Sequence, residues 1–173
     1  MKRTLKKLGA LLFAAVIALS TYPAQVQAEE SVETMQVESI NVAKNTVGET
    51  TYQGLNNQTG ASGMRSNMLT STSLTATPKS DEITITITTA SSFVAKKIGA
   101  RDVIVYEKVL LGWKPIATAA DYETNRNAYT FSAHCTNATK GKTYRVVCTH
   151  YAVDKNGVEY TRENETEQFV YSY

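Results

Sequence analysis

Residues 83–90 read ITITITTA, with isoleucine at 83, 85 and 87 and threonine at 84, 86 and 88. A helix would scatter those isoleucines around its circumference. A strand sends all of them to one face and all the threonines to the other. Both residue types are β-branched, which suits a pleated, half-buried surface. The two-residue period recurs downstream. Val103 and Val105 oppose Ile104 and Tyr106; Tyr129, Phe131, Ala133 and Cys135 share a face, as do Tyr144, Val146, Cys148 and His150. No stretch carries a long helical stripe, so the chain must build its core from strand faces.

Turn signals divide these runs. Pro78, followed by Lys79, Ser80 and Asp81, separates Ile83 from an earlier short strand near Leu74 and Ala76. Residues 103–118 read as a hairpin turning at Leu111-Gly112, and Pro115 marks the returning strand as an edge. Residues 121–127, DYETNRN, read as a loop. Asp154 to Gly157 ends in Asn-Gly, a strong hairpin signal, and 157–171 follows as one long, bulged strand. The stretch SSFVAKKIGARD, 91–102, fits either one helical turn capped by Ser91 or Ser92 or a loop ending at Gly99. About seven short strands in roughly a hundred residues predict an all-β fold, an antiparallel β-sandwich. A small closed barrel is the other all-β solution.

The first 68 residues differ. Lys2, Arg3, Lys6 and Lys7 precede an uncharged apolar run from Leu8 to Leu19, and Val26 and Ala28 suit a cleavage before Glu29. That order describes a secretory signal peptide, 1–28, on an apolar run too short to span a bilayer. Residues 29–68 are polar and poor in large apolar side chains, and are expected to form a flexible arm or a propeptide. A short strand around Val37 to Val42 is the alternative. Residues 69–173 then form the sandwich domain. The whole chain carries 18 Lys and Arg against 16 Asp and Glu; without the four leader bases, 14 remain and the formal charge is −2. No basic stripe is left to bind nucleic acid, and no general basic face to bind a membrane. A secreted, extracellular monomer with no membrane span after cleavage is expected.

Both cysteines and both histidines lie in HCTNATKGKTYRVVCTH, residues 134–150. Cys135 lies six residues before Gly141 and Cys148 six after Lys142. If the chain runs down one strand and back up the next, the two cysteines arrive level, both facing inward. An exported chain permits a bond between them, and a Cys135–Cys148 disulfide is expected. A zinc site fares worse, because adjacent His134 and Cys135 point to opposite strand faces. A catalytic Cys/His pair would need an unpaired thiolate. Neither metal nor cofactor is expected.

Gly141-Lys-Thr-Tyr144-Arg-Val146 resembles the turn into strand F of fibronectin type III and related immunoglobulin-like domains. The resemblance implies that Tyr144 is a corner tyrosine, hydrogen-bonded back to the preceding connection, with Gly141 in the turn. The family's usual leucine there falls at Ala138, and the second strand lacks a tryptophan. The chain also resembles the small secreted β-sandwich proteins of Gram-positive bacteria.

Other signals weigh less. Thr84, Thr86 and Thr88 read as the solvent face of one strand, and Glu163, Glu165 and Glu167 as a solvated edge. Asn57, Asn137 and Asn164 open glycosylation-type triplets. Asp121, Glu123 and Glu107 show no acid/base spacing, and no hydrolase, phosphate-loop or dinucleotide motif is present. A non-enzymatic protein follows. Tyr106, Tyr122 and Tyr151 are the candidate exposed aromatics, suited to a protein partner or a cell-envelope glycan. The expected role is a secreted binding module, with a bacteriocin-like or toxin-like antagonist as the alternative.

Overall fold

A computed structural model of the chain describes residues 32–39, 52–56 and 68–173. The expected signal peptide and the Asn57 triplet lie outside the described residues. The strands are β1 (Glu33–Thr34), β2 (Gln36–Ser39), β3 (Tyr52–Asn56), β4 (Leu69–Pro78), β5 (Ile83–Ala95) and β6 (Lys97–Val109). They continue with β7 (Gly112–Glu123), β8 (Arg126–Cys135), β9 (Thr143–Val153), β10 (Glu159–Thr166) and β11 (Phe169–Val170). One sheet runs β1-β7-β6-β9-β10 and the other β4-β5-β8-β2, and they pack face to face. All described pairings are antiparallel except β1 on β7.

The alternation reading holds at the core. Ile83, Ile85 and Ile87 of β5 and Phe131 and Ala133 of β8 meet Val103, Val105, Tyr144 and Val146 of the opposite sheet, all fully buried. Each isoleucine withdrawn in this way contributes roughly 1.5–3 kcal/mol. The threonines between them stand on the outer face.

The strand count exceeds the expected seven. Ten strands form the continuous path and β11 pairs with β9 beside it. The additional strands lie largely in the segment expected to be a flexible arm. β1 joins one sheet and β2 the other, with Met35 buried between them. β3 bridges the opposite side, pairing Tyr52 and Gln53 with β4 and Gly54 to Asn56 with β10. Apolar composition alone does not reveal such strands, because they borrow the edges of sheets already built.

Residues 91–102 form neither a helical turn nor a loop. β5 continues to Ala95, and β6 begins at Lys97 in the other sheet. Tertiary packing overrides local preference here. Ala95 and Ile98 are buried with Leu69 and Ala152, and the Phe93 ring lies 5.4 Å from that of Tyr160. The loop expected at 121–127 shrinks to Thr124 and Asn125, the latter left-handed at φ 56°. The single long, bulged strand expected over 157–171 is instead two strands, β10 and β11, interrupted at Glu167 and Gln168; both pair with β9, with Glu165 opposite Val147 and Phe169 opposite Tyr144. Pro115 lies in the stretch of β7 beyond the two residues that β1 covers, Ala117 and Thr118.

Candidate functional site

The two cysteines are free and buried, and the expected disulfide does not form. The symmetric count about Gly141 assumed a tight hairpin. Instead β8 and β9 belong to different sheets, and residues 136–142 cross between them. Cys135 is the last residue of β8, while Cys148 lies five residues into β9, roughly 16 Å along the strand at ~3.3 Å per residue. The Cys135 thiol donates to Asn137 Oδ1 at 3.1 Å, and burial pushes it up to about 12.

Cys148 instead meets His150, with Sγ 3.3 Å from Nε2. Thr89 of β5 donates its hydroxyl proton to the carbonyl of Gly99 at 2.9 Å, so its oxygen accepts from His150 Nδ1 at 2.7 Å. That fixes the neutral tautomer with its proton on Nδ1, and the Cys148 thiol then donates to Nε2. Burial, aided by Arg162, pushes His150 down to about 4, and burial pushes Cys148 up to about 12. A reactive thiolate–imidazolium pair needs the opposite shifts. Both side chains are sealed inside the core, and the bond from His150 to Thr89 of β5 ties the two sheets together.

His134 faces out while Cys135 faces in, as adjacent strand residues must. Its Nδ1 is 2.9 Å from Glu82 Oε1 and its Nε2 3.4 Å from Glu38 Oε1. Burial opposes the charge on Glu82, but hydrogen bonds from Thr84 and His134 outweigh it and hold its pKa below the usual carboxylate value. No metal-holding group of His, Cys, Asp and Glu occurs among the described residues.

Tyr144 makes the expected corner bond. Thr139 N–H donates to its hydroxyl at 2.7 Å, and the hydroxyl reaches Glu107 Oε2 at 3.1 Å. Gly141 takes φ 83°, which permits the turn that brings residue 139 back. Ala138, where the resembled family carries leucine, packs half-buried against the core.

The outer face of β7-β6-β9-β10 collects the three candidate aromatics. Tyr122 and Tyr151 flank Gly99 in register, and Tyr106 stands opposite Arg145. Their exposures differ. Tyr122 is 48% exposed, Tyr106 half-buried and Tyr151 only 9% exposed. Each ring is covered by a cation: Lys97 lies 4.8 Å from Tyr122, Arg101 5.4 Å from Tyr151 and Arg145 5.3 Å from Tyr106. Arg145 also lies 4.6 Å from Trp113, which the sequence reading did not include. Only cross-strand register reveals that cluster. The cations are themselves held, Arg101 to Glu159 at 2.8 Å and Arg145 to Glu165 at 2.6 Å. The hydrogen bond to Glu159 raises the Arg101 pKa.

Between the two aromatic groups a shallow depression of about 380 Å³ opens in the same face. Ile104, Val147 and Thr149 line it, with Asp102, Glu163 and Glu165 around them. A bulge between Ala100 and Val103 creates it, with Asp102 left-handed at φ 51°.

The opposite outer face is hydroxyl-rich. Thr88 meets Thr130 at 2.9 Å and Thr86 meets Ser132 at 3.2 Å. These hydroxyls satisfy one another across strands, which leaves a polar but quiet surface. Compared with protein-family models, curated proteins and solved structures, the chain finds no match in any of the three.

Proposed function

We propose that the protein is a secreted, non-enzymatic binding module whose β7-β6-β9-β10 face engages a protein partner. The observation that carries this reading is the capped aromatic array. With cations over the rings of Tyr106, Trp113, Tyr151 and Tyr122, a sugar would have to displace a charged side chain to stack on any of them. Protein interfaces, by contrast, are enriched in tyrosine, tryptophan and arginine around an apolar centre. Ile104 and Val147 supply that centre. The non-enzymatic reading draws support from the Cys148–His150 pair, whose protonation states and burial suit structure better than catalysis.

The strand order supports a fibronectin type III-like or immunoglobulin-like sandwich. β4-β5-β8 facing β7-β6-β9-β10 resembles the A-B-E and C′-C-F-G order of such domains, with Tyr144 at the start of the strand that corresponds to F. Modules of that architecture serve many roles, so the order supports the scaffold and the face must carry the function.

The test is selective capture. Immobilised protein should enrich a protein from bacterial envelope fractions, and Ile104→Arg, which fills the depression, should abolish that enrichment. Thr88→Ala, on the hydroxyl face, should leave it intact. Equal capture by all three, or capture only of purified glycan, would overturn the proposal.

A further inference from the structure

The depression in the β7-β6-β9-β10 face carries an unbalanced charge at its centre. Along the outer side of β10 stand Glu159, Glu163 and Glu165, opposite Val153, Thr149 and Val147 of β9. Two of the three are satisfied across the sheet. Arg101 donates from both terminal nitrogens to Glu159, at 2.8 and 2.9 Å, and Arg145 donates to Glu165 at 2.6 Å. Glu163 lies between them and makes no ion pair among the described residues. Register explains why. Arg101 shares a row with Glu163 through Thr149, but its side chain turns across the Tyr151 ring toward Glu159.

Asp102 forms the opposite rim, where the bulge in β6 lifts it into solvent. Arg101 Nε comes within 3.6 Å of it, on the same guanidinium that Glu159 already holds. Lys97, over Tyr122, and Lys108, over Trp113, stand toward the two ends of the face. A solvated edge would account for an unpaired glutamate, but β10 is not an edge at this level, because β3 pairs with Asn164 to Thr166. The floor between the two rims is apolar. Ile104 and Val147 line it, half-buried, beside Thr149. Such a site suits a side chain with a long apolar stem and a cationic head.

We propose that the depression receives an arginine side chain of the protein partner, with its stem over Ile104 and Val147 and its guanidinium between Asp102 and Glu163. This rests on the partner-face reading and specifies what that partner presents. Arginine fits better than lysine because the rims stand on β6 and β10, two strand spacings or roughly 10 Å apart at the backbone. A guanidinium carries donors on both edges of a rigid fork, whereas an ammonium is a compact point charge. The inserted group completes the pattern of the face, in which Glu159 and Glu165 each already meet a guanidinium. Arginine seated at the centre of an interface is also a recurrent anchor.

The test uses two probes of the same shape. Isotope-labelled protein is titrated with a blocked peptide carrying one arginine among alanines, and with the same peptide carrying neutral citrulline instead. Amide resonances of Thr149 and Glu163 should shift with the arginine peptide, and the citrulline peptide should bind about fivefold more weakly. Glu163→Gln and Asp102→Asn should each weaken the arginine peptide severalfold, and the double variant should no longer prefer it to citrulline. Both variants should keep the parent's melting temperature. Glu163 loses no ion pair, the exposed Asp102 contact is worth little, and asparagine tolerates the left-handed backbone at 102. Equal binding of the two peptides, no shift at the depression, or an undiminished arginine preference in the double variant would each overturn the proposal. Capture from envelope fractions separates this outcome from the reading beneath it. If Ile104→Arg abolishes capture while the double variant captures as the parent does, the partner face stands and the arginine falls. If Ile104→Arg captures as the parent does, the partner face itself falls, and the arginine with it.

Discussion

At the residue scale, His150 shows how a polar group can sit in an apolar core. Its two nitrogens are both engaged, one by Thr89 across the sheets and one by Cys148 along its own strand. The imidazole therefore stays neutral in the fold, with its pKa down at about 4, while in the unfolded chain it takes up a proton near 6.5. Between those values the unfolded state binds more protons. The stabilisation is thus fully present above pH 6.5 and is lost as pH falls toward 4, by roughly 3 kcal/mol across the window. Urea midpoints should fall between pH 7 and pH 5, where few carboxylates titrate, and the His150 ring resonances should not titrate in the native protein over that range. A flat midpoint with a titrating ring would refute the buried neutral assignment. The cysteines give a second expectation. Separated along their strands and protonated, both should alkylate in protein unfolded without reductant, and reductant should leave the melting temperature unchanged. This location was half legible in the sequence. Parity put both cysteines inward, but only the sheet assignment of β8 and β9 shows that they do not meet.

At the element scale, two positions hold strands where the face needs them. Gly99 of β6 faces the backbone of β7 so closely that an added Cβ would stand 2.1 Å from the Asp121 carbonyl oxygen and 2.7 Å from Tyr122 Cα. The obstacle is backbone, so a side chain cannot swing aside. Gly99→Ala should cost about 3 kcal/mol and spread β6 from β7, a loss visible as a lowered urea midpoint with faster amide exchange at Tyr122. Retained stability would mean that the pair is not packed this tightly. Tyr144→Phe tests the corner. Its hydroxyl satisfies Thr139 N–H and reaches Glu107, so its loss should cost about 1–2 kcal/mol at unchanged denaturant slope. The corner was readable from Gly141 and Tyr144 because its chemistry is local. The aromatic and cationic face was readable only in part. Tyr106, Tyr122 and Tyr151 alternate correctly along their strands, but the cations that cap them come from other strands, at partners fixed by the bulges in β6.

At the scale of the whole molecule, the sandwich is closed by its N-terminal segment. Open sheet edges invite pairing with other chains, and here β3 bridges one side while the β1–β2 strap spans the other. Composition marks residues 29–68 as too polar to fold by themselves. It misses that a polar chain can add strands to existing edges, where ladder hydrogen bonds and one apolar anchor suffice. Met35 is that anchor, 3% exposed between β1 and β2 and packed against the main core. Its backbone N–H donates to the Thr118 carbonyl at 2.8 Å, which pins the crossover between sheets. Met35→Ala should therefore cost about 2 kcal/mol, at the low end for a buried methionine because the strap is short and can adjust. Deleting residues 29–39 should cost more and should uncover the edges of β7 and β8 together. The expected signature is a lower urea midpoint accompanied by concentration-dependent association in light scattering, with the Met35→Ala protein still monomeric because its backbone pairing survives. A flexible arm would behave differently, since its removal would change neither midpoint nor scattering. The two proteins side by side thus separate the anchor from the edge it holds shut.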